Sequence, residues 1–352
     1  MIKFTPKQQK IIAIILKKGT IQSSGVHAEM LAMGEKAALV TIKRALTELL
    51  VMGVLSTSGS GRSVSYEISV KGRIFAEVDA EKYCAIEPDN RYGLSNFNFS
   101  LLPAMAQEDL LMEDELKFLN NSTRVYQNRI KDLPPAIQKK ELERLIIELS
   151  WKSSKIEGNT YTLLDTEKLI LENKEAPGHD HKEARMILNH KDAFNFIRDN
   201  AREFNSLTNS NLEALHAILV KGLSVGFGLR QKPVGVVGSI YRPLDNIHQI
   251  KEAVSVLAAT ILKITDPCLK SLIALLGISY IQPFEDGNKR TARLMANALL
   301  LAHNRAPLSY RSVEEKDYRE AMLVFYELNS IIPFKKIFLG QYDFAAHTYA
   351  VK

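Results

Sequence analysis

The stretch Gln282-Pro283-Phe284-Glu285-Asp286-Gly287-Asn288-Lys289-Arg290-Thr291-Ala292-Arg293 decides how this chain is read. Pro283 stops the helix that the apolar spacing predicts over 269–280, because proline lacks the N–H a helix interior needs. Gly287 and Asn288 tolerate left-handed backbone angles, so successive N–H groups there can turn inward as an anion-binding nest. A helix predicted over 288–303 begins directly after them, adding its own free N–H groups and positive dipole end. Lys289, Arg290 and Arg293 nevertheless crowd its first two turns, where each cation opposes the macrodipole by ~0.3–1 kcal/mol. That placement makes sense around a polyanion, and Asp286 beside it is a natural magnesium ligand bridging phosphate oxygens. The plain alternative is a loop followed by a solvated basic helix start.

Helical spacing dominates from about Met105 onward, with clear examples over 137–151, 182–200, 209–219 and 248–264. One run, Val234-Gly235-Val236-Val237-Gly238-Ser239-Ile240-Tyr241, reads as strands. The expectation is a mainly α domain over 105–352 with one short β-hairpin. Upstream, Ser153-Ser154-Lys155-Ile156-Glu157-Gly158-Asn159 closes a helix whose apolar face includes Leu142, Leu145, Ile146, Leu149 and Ile156, with Gly158 as its stop. A glutamate in a last helical turn is disfavoured by the dipole, so Glu157 calls for a cationic partner; otherwise it is an exposed helix-end acid. His216, on an apolar face, reads as a satisfied core histidine. His179, His181, His190 and His303 show no metal-ligand spacing with acids, so no zinc site is expected.

The 282–293 stretch resembles the Fic family signature, His-Pro-Phe-x-Asp/Glu-Gly-Asn-Gly-Arg-x-x-Arg, and the likeness extends over 105–339. The resemblance implies an all-α core that binds ATP and Mg2+ and transfers AMP to a Ser, Thr or Tyr hydroxyl of a protein, the chain itself included. Carried over by position, Asp286 would hold magnesium, Gly287, Asn288 and Arg290 would bind the α- and β-phosphates, and Arg293 the γ-phosphate. Lys289 replaces the commoner glycine, as in Doc-like members, some of which are phosphotransferases; other phosphoryl transfer therefore stays open. The run from Val234, Gly235, Val236, Val237 and Gly238 to Tyr241 would be a flap that aligns the target by strand pairing. Tyr318 falls where the family often places a nucleotide contact.

The segment from Ser153 to Gly158 looks like the family's inhibitory motif, Ser/Thr-x-x-x-Glu-Gly/Asn, in members with the inhibitory helix before the core. By that resemblance Glu157 pairs with Arg293 in the γ-phosphate's place, with Ser153 bonding nearby. Gln282 stands where the family has its catalytic histidine. An imidazole of pKa near ~6.5 can accept the hydroxyl proton, whereas an amide does not titrate near neutrality. Three functions stay open: an adenylyltransferase fold autoinhibited by Glu157 and impaired at Gln282, a nucleotide-sensing transcriptional regulator with a catalytically dead domain, and a de-AMPylase in which Glu157 positions water.

The chain has 352 residues, 46% apolar and 24% charged, which suits two or three globular domains. No apolar run approaches the ~18 residues a membrane span needs, and the start shows no signal-peptide h-region, so neither is expected. Cys84 and Cys268 are far apart and read as reduced thiols of a cytoplasmic protein. Of the net charge of +6, residues 1–80 hold +5, with eleven Lys/Arg against six Asp/Glu. Thr5-Pro6 opens a helix that Gly19 ends. A second is predicted over 24–33 and a third over 35–52, with Leu39, Ile42, Leu46 and Leu49 on one face and Lys36, Thr41, Lys43, Arg44 and Thr47 on the other. Strand-like runs over 54–56 and 63–70 follow, joined by a connector ending at Arg62. This arrangement resembles a winged helix-turn-helix domain over 1–80, which implies double-stranded DNA as partner, Lys43 and Arg44 at the major groove and Arg62 at the wing tip. Protein contact alone is the other use of such a module. Residues 81–104 read as a linker packed through Tyr83, Tyr92, Phe97 and Phe99, and both domain types admit a homodimer.

Replacing Lys43 and Arg44 together by alanine should weaken binding of the chain to duplex DNA. It should also flatten the log–log salt dependence by about 2, one unit per lost phosphate contact. Fluorescence anisotropy across a salt series measures both, and an unchanged slope would leave only the protein-contact reading.

Overall fold

Thr5 begins the first helix as its chemistry requires. Its hydroxyl accepts from the Gln8 N–H at 3.3 Å, the Gln8 side chain accepts from the Thr5 N–H at 2.9 Å, and Pro6 takes the first helical position. The computed structural model describes residues 3–351, with the Arg62 side chain, expected at the wing tip, outside the described residues. The chain divides into two compact units. One gathers the residues up to Glu108 with Val236–Arg242 and Glu320–Lys335, and the other holds Asp109–Gly235, Pro243–Arg319 and the residues from Lys336 on.

In the first unit the order is α1 (Pro6–Lys18), β1 (Ile21–Gln22), α2 (Ser23–Ala32), α3 (Leu39–Val51), β2 (Leu55–Ser58) and β3 (Ser65–Ile68). The sheet is antiparallel in the order β1-β3-β2, with Ile21 opposite Tyr66 and Leu55 opposite Ile68. Ile11, Ile15, Val26, Met30, Ile42, Leu46 and Leu49 are fully buried between the helices, which is the 3.6-residue stripe expected of them. Lys43, Arg44 and Thr47 are exposed on the other face of α3, and Arg44 pairs with Glu48 at 3.3 Å. Two features depart from the sequence reading. β1 is two residues long, too short to show a strand's alternation. The third helix begins at Leu39, not 35, because Gly34 at φ 81° and an extended Ala38 turn the chain before it.

The expected linker is partly helical. It carries α5 (Ala80–Cys84) and α6 (Leu101–Met105), after α4 (Val70–Phe75), and the buried Tyr83 ring meets Tyr92 edge-on at 5.2 Å. Residues 236–242 belong to this unit and reverse at a turn closed by the Ser239 N–H on the Val236 carbonyl at 3.1 Å. The strand pairing expected over 234–241 is absent among the described residues; a single parallel bridge joins Asn96 and Arg242. A β-branched run favours a pleated surface but forms a strand only against a partner.

The second unit is built from α7 (Glu113–Ile130), α8 (Pro135–Ile156), α9 (Leu163–Glu172), α10 (His181–Asp199), α11 (Asn209–Leu219), α12 (Ile247–Lys263), α13 (Pro267–Ile281) and α14 (Asn288–Ala302). The helix order ends with α15 (Glu315–Leu328) and α16 (Ile332–Thr348), so the fold is mainly α with one small sheet. Helix α14 packs against α8, α10, α11 and α13, and every residue of α13 from Ser271 to Ile281 is buried. A helix apolar on all sides belongs in a core, and α13 with α14 forms that core. Leu275 is fully buried there. Leu275→Ala should lower stability by about 2–5 kcal/mol in urea titrations, through lost transfer energy and an unfilled cavity. A cost below about 1 kcal/mol would place that side chain outside the core.

Candidate functional site

The loop between α13 and α14 is fixed at both ends by groups that its own backbone needs. Gln282 caps α13 in the left-handed region at φ 52°, and its side-chain Nε2 donates to the Ser279 carbonyl at 2.6 Å. Arg230 donates its Nε–H to the Gln282 carbonyl at 2.7 Å and its backbone N–H to the Pro283 carbonyl at 3.0 Å. Asn288 clamps the turn: its Nδ2 donates to the Phe284 carbonyl and its Oδ1 accepts from the Phe284 N–H, both at 2.8 Å. The Asn288 side chain is thus committed to the loop, and what position 288 offers an anion is the backbone N–H at the start of α14. Gly287 stands at φ 79°, where a Cβ would meet Val220 Cγ1 at 3.3 Å and Arg290 Nη2 at 3.5 Å. His216 is a buried core histidine with a task, stacking on Phe284 at 3.7 Å with Nε2 2.9 Å from the Asp286 carbonyl. Burial lowers its pKa against the opposing pull of that carbonyl, so a neutral ring donating Nε2–H fits the contact.

Above this loop the charges converge. Arg293 is fully buried, and its Nη1 lies 2.8 Å from Glu157 Oε1 as an ion pair. Its Nε donates to Ser153 Oγ and its Nη2 to the Ser153 carbonyl, both at 2.8 Å, while the guanidinium carbon lies 5.6 Å from the centre of the Tyr318 ring. Lys289 Nζ lies 3.5 Å from the other Glu157 oxygen. Lys289 and Arg293 are four residues apart on one helix, so they share a face and both reach the same carboxylate. Arg290, also buried, donates to Asp286 Oδ2 at 3.0 Å, and the Asp286 side chain is 63% exposed at the mouth of the loop. Three cations therefore face two carboxylates.

Glu157 caps the C-terminus of α8, and Arg319 fixes that end by donating from Nε and Nη2 to the Ile156 carbonyl at 3.0 and 2.6 Å. Lys152 pairs with Glu315 one turn earlier. Burial alone would raise the Glu157 carboxyl, but Arg293 and then Lys289 overturn that and hold it below the ordinary range. The fully buried His190 is driven well below its ordinary pKa by burial first and the two arginines next, so it remains neutral beside them. No group of three or more His, Cys, Asp or Glu is placed to hold a metal by itself among the described residues. A magnesium ion held by one carboxylate and phosphate oxygens needs no such group, and the exposed Asp286 fits that mode.

The structure thus brings Ser153, Glu157, Asp286, Lys289, Arg290 and Arg293 into one cluster, with Gly287 and Asn288 at the start of α14 and Gln282 capping α13 at the other end of the loop. Val236, Val237, Gly238 and Tyr241, expected to form a flap, belong to the first unit with Lys43 and Arg44. Sequence reasoning missed the Lys289–Glu157 contact, whose signal is the four-residue spacing, and the roles of Arg230 and Arg319, which no local pattern reveals.

Because the native Glu157 pKa is depressed, its pair contributes stability above the unfolded value, and the contribution is lost as pH falls below the ordinary 4.5. Glu157→Gln should cost about 3–5 kcal/mol near neutral pH, since Arg293 is left buried without its counter-charge. It should also flatten the acid limb of the stability–pH curve below 4.5. Urea titrations from neutral to acid pH measure this, and an acid limb equal to the parent's would contradict the pair.

Residues 206–300, which include the loop, match the model of the Fic/DOC family. The protein adenylyltransferase Fic of Nematostella vectensis is 25% identical over 223 residues, covering 62% of this chain and 51% of that protein. The chain therefore spans about half the length of that curated relative. Among solved structures, Fic-1 (residues 134–508) from C. elegans superposes with a TM-score of 0.56 at 17% identity, covering 70% of this chain and 73% of that one. A Fic family protein from Desulfovibrio desulfuricans G20 gives 0.55 at 22% identity, covering 67% and 74%. The signature loop therefore lies inside a segment that matches the Fic/DOC family, and the chain shares the fold of these solved Fic structures.

Proposed function

We propose that this chain is an ATP- and magnesium-binding, adenylyltransferase-like Fic protein, held off by Glu157 and impaired in transfer by Gln282. The observation that carries the reading is the buried Arg293, held by Glu157 at 2.8 Å and by Ser153 at an otherwise cationic helix start. A guanidinium out of water demands an anion, and a terminal phosphate satisfies it as well as a carboxylate. Glu157 and that phosphate therefore compete for Arg293, while the α14 N-terminus, Lys289 and Arg290 serve the remaining phosphates. Asp286 would hold Mg2+, which neutralises phosphate charge when bound.

Transfer needs a target hydroxyl oxygen to form a bond to the α-phosphorus while the bond to the bridging oxygen breaks and pyrophosphate leaves. The hydroxyl proton must go to a base. Gln282 offers an amide whose N–H is already given to Ser279, so no group at that position takes it. Losing a general base costs ~10²–10⁴-fold in rate. The same substitution favours a second reading, in which the site senses nucleotide for a regulator whose α1–α3 and sheet bind DNA through the exposed Lys43 and Arg44.

Restoring the base separates the two. Gln282→His should transfer label from α-labelled ATP to protein at least ~10²-fold faster than the parent, and Glu157→Gly should raise it further. Glu157→Gly with Gln282 in place should stay nearly inactive. No labelling from the double variant would overturn the transfer reading and leave the sensor, and robust labelling from Glu157→Gly alone would mean another residue takes the proton.

A further inference from the structure

Outside the phosphate site the first unit holds a second buried charge cluster, centred on Glu327. Its carboxylate is fully buried, and its Oε2 lies 2.6 Å from the Tyr83 hydroxyl. Its Oε1 accepts from Ser239 Oγ at 2.7 Å, from the Ile240 N–H at 3.2 Å and from Arg91 Nη1 at 3.4 Å. The same Arg91 nitrogen donates to the Gly238 carbonyl at 2.8 Å. The Arg242 N–H donates to the Ser95 carbonyl at 2.8 Å, next to the Asn96–Arg242 bridge. Gly93 sits against the Glu327 carbonyl, where a Cβ would stand 2.6 Å from its oxygen, and the Leu94 N–H donates to that oxygen at 2.6 Å.

Every one of these partners comes from two short segments, 83–96 and 238–242. Burying a carboxylate is a poor way to gain stability, since an apolar side chain of similar volume usually does as well. What a carboxylate with four donors adds is geometry, because it fixes the turn at Ser239 and Ile240 against the 83–96 segment. The turn is otherwise loosely specified: it belongs to no sheet, and Val237 is 96% exposed at its tip.

We propose that Glu327 is the positioning residue of the flap, setting through Ser239, Ile240 and Arg91 the geometry in which residues 234–238 meet a protein target. This rests on the reading of 234–241 as the docking flap. It makes segment 83–96 the platform on which docking depends.

Hydrogen exchange read by mass spectrometry on the full chain tests the positioning without any activity. In Glu327→Gln an amide N–H2 confronts donors, and exchange over 238–242 should rise at least tenfold while α13 and α14 keep the parent's protection. Ser239→Ala, which removes one tether and leaves the buried pair, should raise it by a smaller factor and decides the matter if Glu327→Gln does not fold. Unchanged exchange in the folded variants, or a rise spread evenly over the chain, would overturn the proposal. In the Gln282→His, Glu157→Gly background, with the unmodified Gln282 chain as acceptor protein, Glu327→Gln should raise KM for that acceptor about tenfold and leave KM for ATP unchanged. A loosened flap with an unaltered acceptor KM would also overturn it. Absence of any transfer in that background would count against the transferase reading alone, since the exchange result judges Glu327 separately.

Discussion

A guanidinium with no access to water is the constraint around which the second unit is arranged. Arg293 projects from α14, the helix on which α8, α10, α11 and α13 all pack, so it cannot move to solvent without dismantling the core. Its charge must be answered where it stands, and the C-terminus of α8 brings both Ser153 and Glu157 to it. Arg319 and the Lys152–Glu315 pair hold that helix end in place. A carboxylate at the negative end of a helix dipole is itself poorly placed. Each of the two ill-placed charges thus supplies the other's remedy, and on the proposed reading an incoming phosphate takes over from Glu157.

The loop below is organised independently of this contest. Asn288, His216 and Arg230 fix the backbone from Gln282 to Asp286 through neutral side chains or main-chain carbonyls. None of these contacts depends on which side chain stands at 282. On the proposed reading the chain therefore keeps an intact phosphate cradle while lacking the group that accepts a proton. That reading makes binding and transfer separable, because it rests them on different residues of the same twelve.

What the sequence revealed follows from how local each determinant is. The core of α13 and α14, the left-handed Gly287 and the cap at Thr5 are set by neighbours within four residues, and their pattern is visible without a structure. Glu157 and Arg293 were each marked by a charge on the wrong end of a helix, which signalled a distant partner; the family resemblance supplied which one. Val234, Val236, Val237 and Ile240 have strand propensity, so the sequence alone predicts paired strands over 234–241. Pairing is decided by what lies alongside, and the structure gives that run one bridge and a buried carboxylate instead. Glu327 and Arg319 were illegible for the same reason, since their partners lie between about 90 and 240 residues away in the chain.

Competition between Glu157 and a terminal phosphate for Arg293 is the centre of this account, and calorimetry of ATP-Mg binding measures it most directly. Glu157→Gly should bind ATP-Mg at least tenfold more tightly than the parent. ADP-Mg, which lacks the competing phosphate, should gain much less. Equal ATP affinity in the two proteins would contradict the account, because it would show that Glu157 does not occupy the place a nucleotide needs.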